Sequence, residues 1–386
     1  MSYAIRACGS IREIGREAWD ACANPAGVQY DPFVSYDFLE ALESSASVCA
    51  HTGWAPYHLA VEREAEPGNF LAVIPMYLKG HSQGEYVFDW GWADAFERAG
   101  GRYYPKLQIA VPFTPATGRR VLIRSAENTE EIEQVSLAGV MQVAQKMEVS
   151  SVHITFVVRN QWEKMSELGF LQRTHKQFHW HNEDYSSFDD FLAALSSKKR
   201  KNIRRERKQA LENGITIECL NGEAIRPEHW EAFYHFYLDT GSRKWGSPYL
   251  NQKFFYRIGE TMADRILLVM CRREGHYIAG AINFIGGDCL YGRNWGCIED
   301  HPFLHFEVCY YQAIEYAIRK GLQRVEAGAQ GPHKLARGYL PVHTYSAHWI
   351  VNQSFRKAVE NFLDEEREYI DEEIEELSDH SPFRKR

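Results

Sequence analysis

The sequence predicts an α+β protein in which a mixed, largely antiparallel sheet flanked by helices is built twice. Both halves show the same order of elements: a meander of apolar strands, a helix, a strand, a further helix or loop, and a last strand. A length of 386 residues, 45% of them hydrophobic and 25% charged, suits two cores of ordinary size. We therefore expect one domain over 1–184 and a second over 185–386.

In the first half, apolar runs at 57–61, 70–78 and 85–90 predict the strand meander. A helix over 129–147 follows, because Asn128 and Glu131 have the spacing of a capping box. Further strands are predicted over 151–158 and near 178–181, with a short helix between them that ends at Gly169.

The second half begins with a basic helix over 196–213, and three strands follow it. The strands are predicted near 265–271, 277–285 and 289–294. A core helix from about Leu304 to Lys320 has apolar residues at helical spacing and ends at Gly321. Short strands near 324–327 and 345–351 and an acidic helix over 353–377 complete the chain.

Charge is distributed unevenly along this chain, whose net charge is −8. Residues 198–208 contain eight Lys or Arg and one Glu, whereas Asp364–Glu376 contains nine acids and one Arg. The basic run predicts either an RNA- or phosphate-binding surface, carried by Lys199, Arg200, Arg204 and Arg205, or a solvated helix face. The acidic helix reads as solvated, and the negative total disfavours DNA as a partner.

Several classes of protein are disfavoured by what the sequence lacks. No apolar run is long enough to span a membrane, and Met1–Ser10 has no secretory signal, so a cytoplasmic protein is expected. The eight cysteines form no Cys-x-x-Cys pair, which argues against a zinc ribbon. His179 and His181 alternate along a strand without a third ligand at recognisable spacing, so no metal site is predicted.

Polar side chains gather after the short strand at Val325, where a glycine-rich turn follows a buried segment. Strand ends of this kind face clefts, so the segment is the predicted active site. Its candidates, together with residues from the preceding strand and from the start of the core helix, are Glu326, Gln330, His333, Lys334, Arg337, Tyr339, Arg293, Trp295, His305 and Glu307. The free amides of that helix start suit an anion.

Two weaker candidates lie in the first half. Asp89, Trp90, Tyr104 and Lys106 combine aromatic walls with a charged pair that would frame a substrate groove, or they fill ordinary core and surface roles. The segment Gly80-His81-Ser82-Gln83-Gly84 matches the nucleophile elbow of serine hydrolases. The strand predicted over 85–90 removes the strand-turn-helix context that the elbow needs, so a hydrolase using Ser82 is a minor alternative.

Several motifs together resemble the FemAB-like branch of the GNAT N-acyltransferase superfamily, bacterial proteins related to peptidoglycan aminoacyltransferases. The resemblance runs from about Pro32 to Phe362, includes the basic helix, and rests on His81–Trp90, Tyr103–Leu107, Pro112–Pro115, His179–Asn182 and Glu326–Gly331. It implies two tandem GNAT-like acyltransferase domains and acyl transfer to nitrogen. Pro332 stands where the resemblance implies an acid, so no catalytic carboxylate is assigned there.

Acyl transfer to an amine needs a base, a group that stabilises the oxyanion, and a proton for the leaving group. Glu326 or His333 is the expected base, although Glu326 is equally well explained as a structural partner of Arg293 or Arg337. Lys334, Arg337 and Arg293 would clamp a phosphate or carboxylate, and Tyr339 would protonate the leaving group.

The donor is left open between acyl-CoA, as a co-substrate, and aminoacyl-tRNA. The loop at Tyr291 lacks the superfamily's usual pyrophosphate signature, and the basic helix slightly favours tRNA. No tightly bound cofactor is expected, and the acceptor is a small-molecule or peptide amine. The alternative is a non-catalytic protein that binds a cell-wall precursor or another anion on a degenerate acyltransferase fold.

Overall fold

A computed structural model of the chain describes residues 2–124, 128–244, 248–328 and 331–384. The described residues pack as two compact units, and each unit is discontinuous in sequence. Unit 1 contains residues 2–175 and 343–372, and unit 2 contains residues 176–342 and 373–384. The domain boundary expected after residue 184 stays a prediction.

Many strands of the described residues lie at or near the predicted apolar runs, but the strands at 3–8, 106–109, 122–123 and 216–221 were not predicted. In chain order they are β1 (Tyr3–Cys8), β2 (Trp54–Pro56), β3 (His58–Arg63), β4 (Phe70–Ile74), β5 (Met76–Lys79), β6 (Lys106–Ile109), β7 (Leu122–Ile123), β8 (Ser151–Val157), β9 (Leu171–His181), β10 (Thr216–Asn221), β11 (Ile266–Arg273), β12 (His276–Ile285), β13 (Cys289–Cys297), β14 (Arg324–Glu326) and β15 (Leu340–Ile350).

The helices are α1 (Arg16–Ala23), α2 (Tyr36–Ser44), α3 (Trp90–Arg98), α4 (Thr129–Lys146), α5 (Arg159–Glu167), α6 (Phe188–Ala194), α7 (Ser197–Ala210), α8 (Pro227–Lys244), α9 (Gln252–Thr261), α10 (Leu304–Phe306), α11 (Gln312–Lys320) and α12 (Gln353–Asp379). A π-helical turn, Glu307–Tyr311, joins α10 to α11, so the predicted core helix exists with an irregular start. The predicted basic and acidic helices are α7 and α12.

Unit 1 contains two sheets. The first has the strand order β1-β3-β4-β7, and the second has the order β15-β8-β6-β5-β2. In the second, the β6–β8 pair is parallel and the other described pairs are antiparallel. Residues buried between these sheets and α4 form one core, which includes Leu59, Ile74, Leu137 and Ile154. The continuous apolar run Phe70–Ile74 is buried at every position of β4, as expected for a strand covered on both faces.

Unit 2 is built on the strand order β10-β11-β12-β13-β14-β9. Its neighbours are antiparallel except for the β13–β14 pair, which is parallel. Helix α11 packs Ala313, Ile314 and Ala317 onto this sheet, and these residues share a core with Leu267 and Val325. The helical spacing of these apolar residues produces the buried face.

The predicted α+β class is confirmed, since each unit combines sheet strands with helices. Two local predictions are wrong. Residues 85–89 form neither strand nor helix, and α3 begins at Trp90. The side chain of Asn128 makes no capping bond at the start of α4, because its backbone is left-handed, with φ 67°.

Candidate active site

The candidate site in unit 2 lies where two parallel strands separate. β13 pairs with β14 only through Cys289, Leu290 and Tyr291, since β14 ends at Glu326 while β13 continues to Cys297. A cavity of about 90 Å³ opens along the rest of β13. Its walls come from β12, from β13 and from the π-helical turn, and its lining is Ala281, Ile282, Asn283, Gly292, Arg293, Asn294, Trp295, His305, Cys309, Tyr310 and Ala327.

An irregularity in β12 shapes one wall of this cavity. The register between β12 and β13 shifts between Ile282 and Asn283, and both residues line the cavity. Bulges of this kind bend a strand and occur next to active sites. The gap between β13 and β14 therefore follows from sheet geometry, and it can accept an extended, amide-containing ligand alongside the free edge of β13.

The π-helical turn forms the opposite wall. Glu307 is fully buried, where Arg207 Nη2 and Gln312 Nε2 donate to its carboxylate at 2.9 and 2.7 Å. The wider turn places Cys309 and Tyr310 at the cavity, and such turns often occur at functional sites. Glu307, predicted to bind substrate, therefore supports the turn from inside.

His333 and Tyr310 form a hydrogen-bonded pair beside the cavity. The imidazole Nε2 of His333 lies 2.9 Å from the phenol oxygen of Tyr310. Partial burial, and then the charges of Arg337 and Lys334, lower the pKa of His333, so its imidazole is neutral near pH 7 and can accept a proton. Burial raises the pKa of Tyr310, which keeps its proton available for donation.

Lys334 places an amine at the turn that follows β14. Its side chain is 2% exposed, and Nζ donates to the backbone oxygen of Gly328 at 2.8 Å. Burial lowers the pKa of Lys334 to about 8. The amine is therefore mostly protonated at neutral pH, and its charge lies in a poorly solvated region where it acts strongly on a neighbouring anion.

Glu326 is engaged in an ion pair. Its Oε1 accepts from Arg324 Nε at 3.2 Å, so Arg324 is a structural partner of this carboxylate that the sequence did not suggest. Its other oxygen lies 3.8 Å from His179 Nε2, but burial lowers the pKa of His179 to about 3. His179 is neutral, so that contact is not an ion pair.

Arg337 supports His333 instead of facing the cavity. Its Nη2 donates to Glu206 at 2.9 and 3.0 Å, and its guanidinium carbon lies 3.5 Å from the centre of the Phe306 ring. Its Nη1 donates to the backbone oxygen of His333 at 2.7 Å. These contacts occupy the guanidinium that was expected to clamp a substrate anion.

Tyr339 is fully buried, and its hydroxyl donates to the backbone oxygen of Tyr310 at 3.3 Å. This geometry favours Tyr310 over Tyr339 as a proton donor. Sequence reasoning missed Tyr310 because the core-helix pattern places it among buried residues. Of the other predicted residues, Arg293, Trp295 and His305 line the cavity, and Gln330 lies outside the described residues.

Of the four cations predicted to bind RNA or phosphate on the basic helix α7, Arg204 and Arg205 are exposed, whereas Lys199 and Arg200 are half-buried. Arg204 pairs with Asp189 at 3.0 Å. Four exposed positions follow a spacing of three, four and three residues along the helix and include Arg205 but not the paired Arg204. We call Lys198, Lys201, Arg205 and Lys208 the α7 stripe.

In unit 1, three of the weaker candidates belong to a buried polar network. The Lys106 ammonium contacts Asp89 at 2.5 Å and donates to Ser82 Oγ at 2.7 Å. Ser82 Oγ lies 2.8 Å from the hydroxyl of Tyr104. Burial opposes ionisation of Asp89, but the Lys106 charge outweighs it and holds the pKa of that carboxyl well below its usual range. Trp90, in contrast, is 54% exposed.

This geometry weakens the hydrolase alternative. Residues 80–89 form neither the strand nor the helix of an elbow, and Ser82 is buried. The group that contacts Ser82 Oγ is an ammonium already paired with Asp89, so it donates a proton and cannot remove one from the serine.

A larger cavity, about 440 Å³, also opens in unit 2. Its lining includes His181, Tyr185, Leu340 and Phe383. We place the chemistry in the smaller cavity because Tyr310 lines it and is hydrogen-bonded to His333.

Two searches of the described residues gave no candidates. Nowhere in 2–124, 128–244, 248–328 or 331–384 do three His, Cys, Asp or Glu side chains gather as they would around a metal ion. In the same ranges, every helix is too short or too polar to cross a membrane.

Similar folds occur in proteins of known structure. FemX has a TM-score of 0.55 and 13% identity, covering 93% of this chain and 100% of its own. The C-terminal DUF2156 domain of a protein assigned as a lysylphosphatidylglycerol synthetase, from Agrobacterium fabrum, has a TM-score of 0.55 and 11% identity, covering 92% and 96%. At such identities the likeness shows the fold alone.

No curated protein matches the sequence. One family does, over residues 10–385, and its description is peptidoglycan biosynthesis/recognition. The match spans both units, the separated strands β13 and β14, and the basic helix α7. The chain therefore belongs to the FemAB-like family of peptidoglycan biosynthesis and recognition proteins.

Proposed function

We propose that this protein is an N-acyltransferase that moves an acyl or aminoacyl group from an activated donor to an amine, in the cavity between β13 and β14. The observation that carries the proposal is the hydrogen-bonded pair of a neutral His333 and a protonated Tyr310 beside this cavity. Such a pair can take one proton and supply another, which acyl transfer to nitrogen requires.

The reaction follows from these groups. The amine nitrogen attacks the acyl carbonyl carbon, and a C–N bond forms while the bond to the leaving sulfur or oxygen breaks. His333 takes the proton of the amine, Tyr310 gives its proton to the leaving atom, and the hydrogen bond between them restores both. The Lys334 ammonium stabilises the negative charge that develops on the carbonyl oxygen.

Glu326 acts in this proposal as a positioning residue. Its ion pair with Arg324 fixes the end of β14, from which the turn carrying Lys334 begins. A carboxylate paired in this way is a poor proton acceptor, so His333 is favoured as the base over Glu326.

For the donor, aminoacyl-tRNA is supported by the α7 stripe and acyl-CoA by the general acyltransferase fold. Four exposed cations along one helix face match a phosphate backbone. The fold is also that of FemX and of a domain whose protein is assigned lysyl transfer to phosphatidylglycerol. Either donor would place the reaction in the cytoplasm.

A transfer assay tests the proposal. Purified protein is incubated with acetyl-CoA, longer acyl-CoAs or charged tRNA and a panel of amine acceptors, and acylated product is measured by mass spectrometry. Transfer from one donor class, reduced about 100-fold by His333→Gln and by Tyr310→Phe, is the expected result. His276→Gln and Tyr316→Phe are matched controls and should retain the wild-type rate. Equal rates in all four variants would remove the proposed pair.

The second candidate function is non-catalytic binding of a cell-wall precursor. The observation that favours it is the engagement of both Glu326 and Arg337 in ion pairs, which leaves few charged groups for catalysis. A donor that raises the melting temperature without any transfer would support this candidate.

A further inference from the structure

The segment from Glu85 to Trp90 in unit 1 is folded with its polar side chains inward and its aromatic side chains outward. Burial alternates along it: Glu85, Val87 and Asp89 are buried, whereas Tyr86, Phe88 and Trp90 are 37%, 51% and 54% exposed. Hydrophobic burial alone would favour the opposite arrangement, because aromatic side chains are the ones that gain from leaving water. We call the three exposed side chains the aromatic platform.

The inward carboxylates are held by two buried lysines. Glu85 Oε1 lies 3.4 Å from Lys79 Nζ and 3.5 Å from Lys106 Nζ, and Asp89 contacts Lys106. All four side chains are at least 96% buried. Buried carboxylates require cations of this kind close by, since each would otherwise lose its hydration without compensation.

The backbone of the segment is anchored from several sides. Lys79 Nζ and Trp54 Nε1 both donate to the backbone oxygen of Gln83, at 2.9 and 3.1 Å. Arg173 Nη1 donates to the backbone oxygen of Phe88 at 2.8 Å, and Trp90 Nε1 donates to that of Ser82 at 2.6 Å. Tyr86 is held at φ 60°, a conformation that a bulky side chain rarely adopts.

These contacts make the aromatic platform a rigid surface. Phe88 and Trp90 lie with ring centroids 4.7 Å apart and planes inclined by 34°. Side chains that are exposed, apolar and pre-ordered lose little entropy on binding, so they are suited to a ligand rather than to packing within the chain. From the exposed fractions, the three rings offer roughly 300 Å² of surface.

The size and charge of the surroundings decide between ligand classes. Roughly 300 Å² is well below the ~800 Å² that each partner of a stable protein complex buries. The neighbouring part of α12 is acidic: Arg173, which bonds Phe88, also pairs with Glu366, and Glu365 and Glu368 are exposed nearby in sequence. Negative charge of this kind repels anionic membranes and nucleic acids.

We propose that the aromatic platform binds an uncharged saccharide. The face of a sugar ring presents C–H groups of slightly positive character, which suit the negative face of Trp90 and Phe88. Sugar hydroxyls donate to carboxylates, and the exposed acids of α12 are acceptors for them. This site is separate from the proposed transfer chemistry in unit 2, and its occupancy does not depend on that proposal.

Titration with the N-acetylglucosamine tetramer, an uncharged probe, tests the inference. Calorimetry and saturation-transfer NMR on the full chain should show binding that weakens about tenfold in Trp90→Ala and in Phe88→Ala. Trp90→Phe keeps a ring for stacking and should bind more tightly than Trp90→Ala. Tyr249→Ala removes an exposed aromatic of unit 2 and should leave binding unchanged.

Three outcomes would overturn the inference. The first is no detectable binding of the tetramer to wild-type protein whose fold is intact. The second is equal binding in wild type, Trp90→Ala and Phe88→Ala. The third is loss of self-association, or of binding to anionic vesicles, in Trp90→Ala without any saccharide binding, because the platform would then serve a second copy of the chain or a lipid surface.

Discussion

The two units handle buried charge in opposite ways. In unit 1, Lys79, Lys106, Glu85 and Asp89 neutralise one another in a closed network away from solvent. In unit 2, Lys334 is almost as buried, but its described hydrogen bond goes to a backbone oxygen, and the neighbouring His333 is only partly buried. A charge balanced by fixed counter-charges stabilises structure, whereas one without such a partner can respond to charge that forms during a reaction.

The largest expected effect comes from breaking the unit 1 network. Lys106→Met should lower the free energy of unfolding by about 3–5 kcal/mol, because two carboxylates stay buried with one cation between them. Urea denaturation followed by circular dichroism measures it.

The control is the double variant Lys106→Met with Asp89→Asn, which removes one charge of each sign and should recover much of the loss. A single variant as stable as wild type would mean that the network is hydrated and not closed.

Lys334→Met in unit 2 should show the reverse pattern. The substitution preserves volume and removes a partly neutralised charge, so the unfolding free energy should change little. The transfer rate should fall about 100-fold or more, since the charge facing the developing oxyanion is lost. Rate and urea midpoint are measured on the same preparation. A variant that unfolds easily would assign Lys334 to structure instead.

The pH dependence of stability further tests how unit 1 holds its buried charges. Burial lowers the pKa of Lys79 to about 7, below the ~10.4 of an unfolded lysine. Between pH 7 and about pH 10.4, the Lys79 amine is protonated in the unfolded chain but not in the folded chain. The free energy of unfolding therefore rises from pH 7 towards pH 10, and this contribution is lost as the pH falls back through 7.

Unfolding measured from pH 6.5 to 10 should therefore show a positive slope, at most about 1.4 kcal/mol per pH unit from this group. In Lys79→Met the slope should be smaller. An identical slope would show that Lys79 keeps its proton in the folded state.

The smallest effect on stability is expected from the α7 stripe. Replacing Lys198, Lys201, Arg205 and Lys208 by Gln should change the unfolding free energy by less than about 0.5 kcal/mol, because these side chains are solvated. If tRNA is the donor, the plot of log affinity against log salt concentration should become shallower, and the magnitude of its slope should decrease by about 3 to 4. Filter binding at several salt concentrations measures it. An unchanged slope would show that the α7 stripe does not contact RNA.

Much of the fold could be predicted from periodicity alone. The strands β8 and β11 to β13 lie where apolar runs place them, whereas α4 and α7 were predicted from a capping pattern and from a basic run. Residues 85–90 show why the rest could not. Their alternation was real, but it reflects buried acids and exposed aromatics in a loop, and only tertiary partners such as Lys79 and Arg173 make that arrangement stable.

The sequence indicated which segment holds the candidate site, but it did not indicate the role of each side chain there. His333 is hydrogen-bonded to Tyr310, which lines the cavity, whereas Arg337 and Tyr339 turn inward. Their orientation depends on Glu206 and on the backbone of Tyr310, more than twenty residues away in sequence. The π-helical turn that presents Tyr310 has no sequence signal distinct from that of an ordinary helix.

The discontinuity of the units has a consequence for synthesis of the chain. Residues 343–372, which complete unit 1 with most of β15 and much of α12, are synthesised only after the whole of 176–342. At ordinary translation rates, residues 2–175 wait roughly 10–30 s for them. A fragment ending near residue 342 would lack part of the core of unit 1, so we expect unit 1 to fold only once residues 343–372 are present.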